Sequence, residues 1–169
     1  MGPRFLFTDI RQRELAKQQD LAMVLIEREG IAKATPETIW KSCFEPMKWE
    51  TWDADLDRLE DVSGKMANGT TMIFVLTDGV KVPTRVENCV DNERFTFRGK
   101  LGPMEFHGTV ILTPVDDCAT NIRFTIGIEG CLGAIFHFFK KEANVSNTEK
   151  GLENMIRISE EAQKSKSQT

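Results

Sequence analysis

The chain has no tyrosine, only two histidines and four cysteines among its 169 residues, and each shortage removes a class of function. His107 and His137 are the only side chains whose ordinary values fall near neutrality, so carriers of catalytic protons are scarce. Cys43, Cys89, Cys118 and Cys131 stand 46, 29 and 13 positions apart, with no CxxC pair and no histidine placed to complete a zinc site. They read as buried thiols, and no metal is expected. No G-x-S-x-G, H-E-x-x-H or P-loop pattern occurs, and Gly127, Gly130 and Gly133 lack dinucleotide spacing, so no cofactor is expected either. No apolar run approaches the roughly 20 residues of a membrane span. The apolar stretch Phe5-Leu6-Phe7 is too short for a secretory signal, which makes a cytoplasmic location the expectation. A basic excess is missing as well: 22 Lys and Arg against 26 Asp and Glu give a net charge of -4, and nucleic acid is not expected as a partner.

What is present is a core-building composition, 40% hydrophobic with 11 Phe and 3 Trp, in a length that suits one domain. A folded chain of this size buries roughly 70% of the surface its unfolded form exposes, enough without disulfides or a metal. Residues 1–20, polar after Phe7, read as an N-terminal extension, 21–163 as the domain, and 164–169 as a flexible, frayed tail.

Leu21 to Ala34 suits a first strand. Thr35-Pro36-Glu37 then supplies a cap, a proline for the first helical position and an early acid, so a short helix is expected there, ending at Glu45 before Pro46. From Leu56 onward about six more strand-like segments recur between turn signals such as Asp78-Gly79 and Gly102-Pro103. Their alternation assigns faces. Met72, Phe74 and Leu76 share one face with Phe95 and Phe97, with Met104, Phe106, Val110 and Leu112, and with Ile122, Phe124, Ile126 and Ile128. Arg85, Glu87, Arg98, Lys100, Glu105, His107, Arg123 and Glu129 fall on the other, wet face. Leu132, Ile135, Phe136 and Phe139 then recur at helical spacing, and Ser146-x-x-Glu149 forms a capping box ahead of Leu152, Met155 and Ile156. A long C-terminal helix, broken near Asn144, is therefore expected to cover the dry face, in an α+β layout.

Four stretches carry a family resemblance. Ile31-Ala-Lys-Ala-Thr-Pro-Glu-Thr-Ile-Trp40, Trp49-Glu-Thr-Trp52-Asp53, the Gly64 to Thr70 hairpin, and Gly130-Cys-Leu-Gly133 through Lys150-Gly-Leu-Glu-Asn154 resemble, in order and spacing, the polyketide cyclase/dehydrase and lipid-transport family. That family lies within the START-like or Bet v 1-like (SRPBCC) helix-grip superfamily. The resemblance covers roughly residues 21–163. It implies a helix-grip fold: a curved antiparallel sheet of about six to seven strands wrapped around a long C-terminal helix, with short helices after the first strand. It also implies a cavity between sheet and helix for a hydrophobic small molecule or lipid. On that reading Trp49, Trp52, Met72, Phe74, Phe95, Phe97, Met104, Phe106, Phe124, Ile126, Phe136 and Met155 are the candidate ligand-binding residues. The rival reading of the same residues is ordinary core, with Trp49 and Trp52 plugging the end of the sheet.

Three functions fit. The first is binding or carriage of an apolar ligand. The second is a polyketide cyclase, aromatase or dehydratase, which needs a titratable group in the cavity, such as His137 on the closing helix. The third is a protein-interaction domain using the acidic segment Lys48 to Asp61, where six acids meet two bases. Asp53-x-Asp55-x-Asp57 within it mimics a calcium loop but fails as one: Arg58 replaces the turn glycine and Gly64 the bidentate glutamate.

Overall fold

The structure, a computed structural model, describes residues 23–129 and 133–168, with side chains at 26–45, 48–129 and 145–168. Alternation in the sequence becomes seven antiparallel strands: β1 (Met23–Ala32), β2 (Leu56–Glu60), β3 (Thr71–Leu76), β4 (Lys81–Val90), β5 (Arg94–Leu101), β6 (Met104–Asp116) and β7 (Ala119–Glu129). They form one open sheet in the order β1-β7-β6-β5-β4-β3-β2, so the meander ends beside the first strand. Between β5 and β6 the pairing of Leu101 with Met104 leaves a two-residue turn, Gly102-Pro103, in which Gly102 sits at φ 59, a conformation glycine takes without a Cβ clash.

β1 stops at Ala32, two residues before the expected end, because Thr35 opens a helix. Its Oγ1 accepts from Thr38 N at 3.3 Å and Pro36 fills the first position of α1 (Pro36–Ile39). The helix then widens into a π turn over Trp40–Phe44, where the rings of Trp40 and Phe44 meet edge to face at 5.7 Å. A 3-10 turn, Pro46–Thr51, delivers Trp49 and Trp52 to the interior.

α2 (Gly133–Ser167) is one unbroken helix of 35 residues. The expected break near Asn144 is absent, and the apparent capping box is taken up by tertiary partners: Glu149 reaches Arg28 on β1 at 2.9 Å, and Asn147 Nδ2 donates to Asp55 Oδ1. Tertiary contacts of this kind override a local stop signal. Residues 164–167, read as a frayed tail, stay helical. Thr38 Oγ1 donates to Gln163 Oε1 at 2.7 Å, and Lys166 Nζ donates to Thr38 Oγ1 at 3.1 Å. Close approach of α2 to the sheet depends on Gly30, where a Cβ would lie 2.8 Å from Ile156 Cδ1. The cysteines divide: Cys43 is buried, with its thiol pushed up to about 11 by burial, whereas Cys118 is exposed in the β6–β7 turn and is not the buried thiol expected.

Candidate functional site

Strand pairing brings the inward positions into rungs. Met72, Thr84, Gly99, Phe106 and Ile128 make one; Val86, Phe97, Gly108, Ile126 and Ile26 the next; Phe95, Val110, Phe124 and Arg28 a third; Leu112, Ile122 and Gly30 the last. All but one of these side chains are apolar, threonine or glycine. The two glycines are filled by rings from the neighbouring strand: a Cβ on Gly108 would meet Phe97 Cζ at 2.0 Å, and one on Gly99 would meet Phe106 Cζ at 2.2 Å.

The β3–β5 side of this face is closed. Trp49 and Trp52 are both 0% exposed, and their indole N–H groups donate to Phe44 O at 3.0 Å and Cys43 O at 2.7 Å. Trp49 packs against Phe74, Phe95 and Phe97 at centroid distances of 5.4 to 5.5 Å, and Trp52 meets Phe124 edge to face at 5.8 Å. Met72 and Met155 are buried in the same cluster. Eight of the twelve candidate residues thus form one continuous aromatic and methionine plug.

Met104, Phe106 and Ile126 are placed differently. With Leu101 they form a half-buried apolar corner, Leu101, Met104 and Phe106 by the β5–β6 turn and Ile126 one rung further in; Phe106 and Ile126 also meet the core cluster. Along α2, Ile156 lies over Gly30 and Glu149 beside Arg28, so the helix packs along β1 and β7, and its N-terminal part lies beyond Glu149. Phe136 and His137 lie on that part of α2, and their side chains are outside the described residues.

One inward side chain escapes the sequence reading. Arg28 occupies the third rung opposite Phe124, half-buried and the only charged residue in the four rungs. Its Nε donates to Glu149 Oε1 at 2.9 Å and its Nη1 to Glu27 O at 2.8 Å. The alternation Ile26, Arg28, Gly30, Ala32 carries the signal, but the sequence reading assigns faces only from Met72 onward.

The charged groups weighed as possible acids and bases face the other way. Arg98 lies 3.6 Å from both Glu87 and Glu129, and Lys100 is 3.0 Å from Glu105, all on the convex face. There His107 lies flat on Gly127, only 15% exposed. Its Nδ1 is 3.2 Å from Glu129 Oε1 but off the line a hydrogen bond needs, and burial lowers its pKa against the opposing pull of Glu129. A groove of about 410 Å³ runs over Ile73 and Pro83 beside Arg85 and Arg98 on this same face, away from α2. It is an open trough between surface charges, with Met72, Thr84 and Gly99 of the first rung also in its lining. Among the described residues no three His, Cys, Asp or Glu side chains gather as a metal site.

The acidic segment has several of its carboxylates engaged within the fold. Glu50 Oε1 accepts from Leu59 N, Asp57 and Glu60 hold Arg58 at 2.7 and 2.8 Å, and Glu60 also pairs with Lys81 at 2.6 Å. Asp53 Oδ1 accepts from Asp55 N at 3.0 Å. Part of Asp53 reaches the surface, yet burial of its carboxyl pushes the pKa up to about 7. Because the folded value lies above the unfolded one, folding carries no penalty from this group below about pH 4, and stability falls as pH rises from there through 7. Asp53→Asn keeps the acceptor for Asp55 N. It is expected to flatten that slope and to raise stability at pH 8 by about 1–2 kcal/mol, less than the full shift because of the partial exposure. Urea midpoints of both proteins at pH 4.5 and 8 check this; an equal gap at the two values would refute it.

The comparisons agree with this architecture. The sequence profile of the polyketide cyclase / dehydrase and lipid transport family matches residues 23–160. No curated protein matches the chain in sequence. Among solved structures, a hypothetical protein from Helicobacter pylori superposes with a TM-score of 0.69 at 14% identity, covering 80% of this chain and 88% of the other. A protein from Thermus thermophilus gives 0.63 at 19% identity, covering 80% and 97%. The di-domain ARO/CYC StfQ from the steffimycin biosynthetic pathway gives 0.67 at 12% identity, covering 95% of this chain but 62% of that larger protein. At these identities the structures share the fold, and the profile, spanning most of the chain, gives the family. With its seven-stranded sheet gripping one long C-terminal helix, this chain belongs to the polyketide cyclase/dehydrase and lipid transport family.

Proposed function

We propose that the chain binds and carries a hydrophobic small molecule or lipid between the open corner of its sheet and α2. The observation that carries this reading is the half-buried apolar set Leu101, Met104, Phe106 and Ile126 on an inward face whose other side is packed solid. Half-buried apolar surface on an inward face supports occupation by an apolar guest, because burial of that surface stabilises both. Met104, Phe106, Ile126 and Phe136 would touch the ligand. Trp49, Trp52, Met72, Phe74, Phe95, Phe97, Phe124 and Met155 would close the far end and set its depth. Native mass spectrometry of the purified chain, with Nile red titration and displacement by a panel of fatty acids, sterols and aromatic polyketides, tests the proposal. Ile126→Trp is expected to fill the corner and weaken probe binding at least tenfold without lowering the thermal midpoint. Absence of any bound or displaceable apolar ligand across the panel would sink the proposal.

A cyclase or dehydratase reading has one observation in its favour: Asp53, with a pKa pushed up to about 7, holds a proton near neutral pH. It sits in the turn that follows the tryptophan plug, away from the open corner, so the carrier reading is preferred.

A further inference from the structure

Resting on the carrier reading, we infer that the ligand bears an anionic oxygen head, a carboxylate or phosphate, and that Arg28 receives it. Arg28 stands on the inward side of β1 with its side chain 36% exposed, whereas the adjacent outward positions hold Glu27 and Glu29. Arg28 is also poorly satisfied where it stands. Of its five N–H groups one goes to Glu149, one to the carbonyl of Glu27, and three have no acceptor among the described residues. Its acid partner is a single contact from a side chain 51% exposed, not the two-bond fork that a guanidinium makes with a well-placed carboxylate. The Nη2 edge is therefore available to a second anion.

Position completes the argument. Arg28 is opposite Phe124, which makes Ile126 its diagonal neighbour at roughly 7–8 Å, within reach of a long side chain. Along β1 the next inward residue is Ile26, paired with Ile126. An amphipathic acid can thus lay its chain on the half-buried Ile126 and Phe106 with its head at the β1–α2 seam, where Arg28 already bridges sheet and helix. The site selects against neutral and cationic heads of the same length, since these leave the guanidinium edge unpaired or repel it.

Competition of octanoate, octyl phosphate and octan-1-ol against Nile red, on the whole chain and on Arg28→Gln and Glu149→Gln variants, tests this. The wild-type chain should prefer at least one of the two anions over the alcohol by about tenfold, the value of a charge-assisted pair, and the stronger of the two names the head. Arg28→Gln should erase that preference while leaving the affinity for octan-1-ol within about twofold. Glu149→Gln removes the competing carboxylate and should tighten anion binding about threefold, a gain that loss of a merely structural ion pair would not give. Equal affinity for acid and alcohol in the wild type, or a preference that survives in Arg28→Gln, overturns the inference and leaves the carrier reading intact. Failure of all three probes to bind the wild type counts against the carrier reading itself, and the inference falls with it.

Discussion

Trp52→Ala is expected to remove about 3–5 kcal/mol of folding stability, the range for deleting a fully buried aromatic side chain. The indole is 0% exposed and touches three other rings: Trp49 at 5.6 Å, Phe44 at 6.0 Å and Phe124 at 5.8 Å. Its neighbours have little room to collapse into the hole. Phe44 is held against Phe95 at 5.0 Å, and Phe95 in turn against Trp40 at 5.8 Å, so the space left behind stays largely empty and its cost is not recovered. The substitution also strips Cys43 O of the 2.7 Å bond from the indole N–H. Trp52→Phe keeps one ring in the plug and loses the donor with the indole's second ring, for an expected loss of about 1–2 kcal/mol. Denaturant unfolding followed by far-ultraviolet circular dichroism measures both. A loss below about 1 kcal/mol for the alanine variant would mean that the aromatic plug is not what holds the α1 region to the sheet.

The second large effect concerns a residue with no side chain. Gly108→Ala places a Cβ 2.0 Å from Phe97 Cζ and 2.3 Å from its Cε1, distances no pair of carbon atoms sustains. Phe97 cannot swing away: it is 3% exposed and packed against Trp49 at 5.4 Å and Phe74 at 5.5 Å. Either the ring leaves its rotamer or β5 and β6 separate, and a penalty of about 2–3 kcal/mol is expected for such overpacking. Gly64→Ala, where a Cβ would meet nothing within 4 Å, is the matched control and should leave the unfolding midpoint unchanged. Adding Phe97→Leu to Gly108→Ala should recover part of the loss, and strict additivity of the two changes would refute the clash.

These two residues also mark where the sequence stops being legible. Strand parity places Phe95, Phe97, Phe106 and Phe124 on the inward face, because a period of two is a local property that survives without knowledge of the partner strand. The seating of Phe97 on Gly108 and of Phe106 on Gly99 is a matter of register between strands. Spacing along the chain does not contain it until the Gly102-Pro103 turn is known to be two residues long. The start of α1 is readable for the same local reason as parity, from Thr35 and Pro36. Its π turn is not, since Trp40 to Phe44 is as good an α-helical pattern as any. Ser146-x-x-Glu149 reads as a helix start and is not one, because polar groups in and beside it find partners 92 and 121 residues away in sequence, at Asp55 and Arg28. Arg28 is hidden for another reason: the first strand is read without assigning its faces, which conceals the charged inward position on β1.

The tryptophan plug has a photophysical consequence. Trp40, Trp49 and Trp52 lie in one aromatic cluster, none more than 8% exposed, and the chain has no tyrosine to add a second emitter. All intrinsic fluorescence therefore originates from the sealed side of the sheet, with Trp49 and Trp52 close enough at 5.6 Å for their near-ultraviolet transitions to couple. The emission is that of indoles in hydrocarbon surroundings and shifts to the red when the plug opens. A guest seated at Met104 and Ile126 meets the other end of the same face and touches no indole, so the protein's own light reports chiefly whether it is folded.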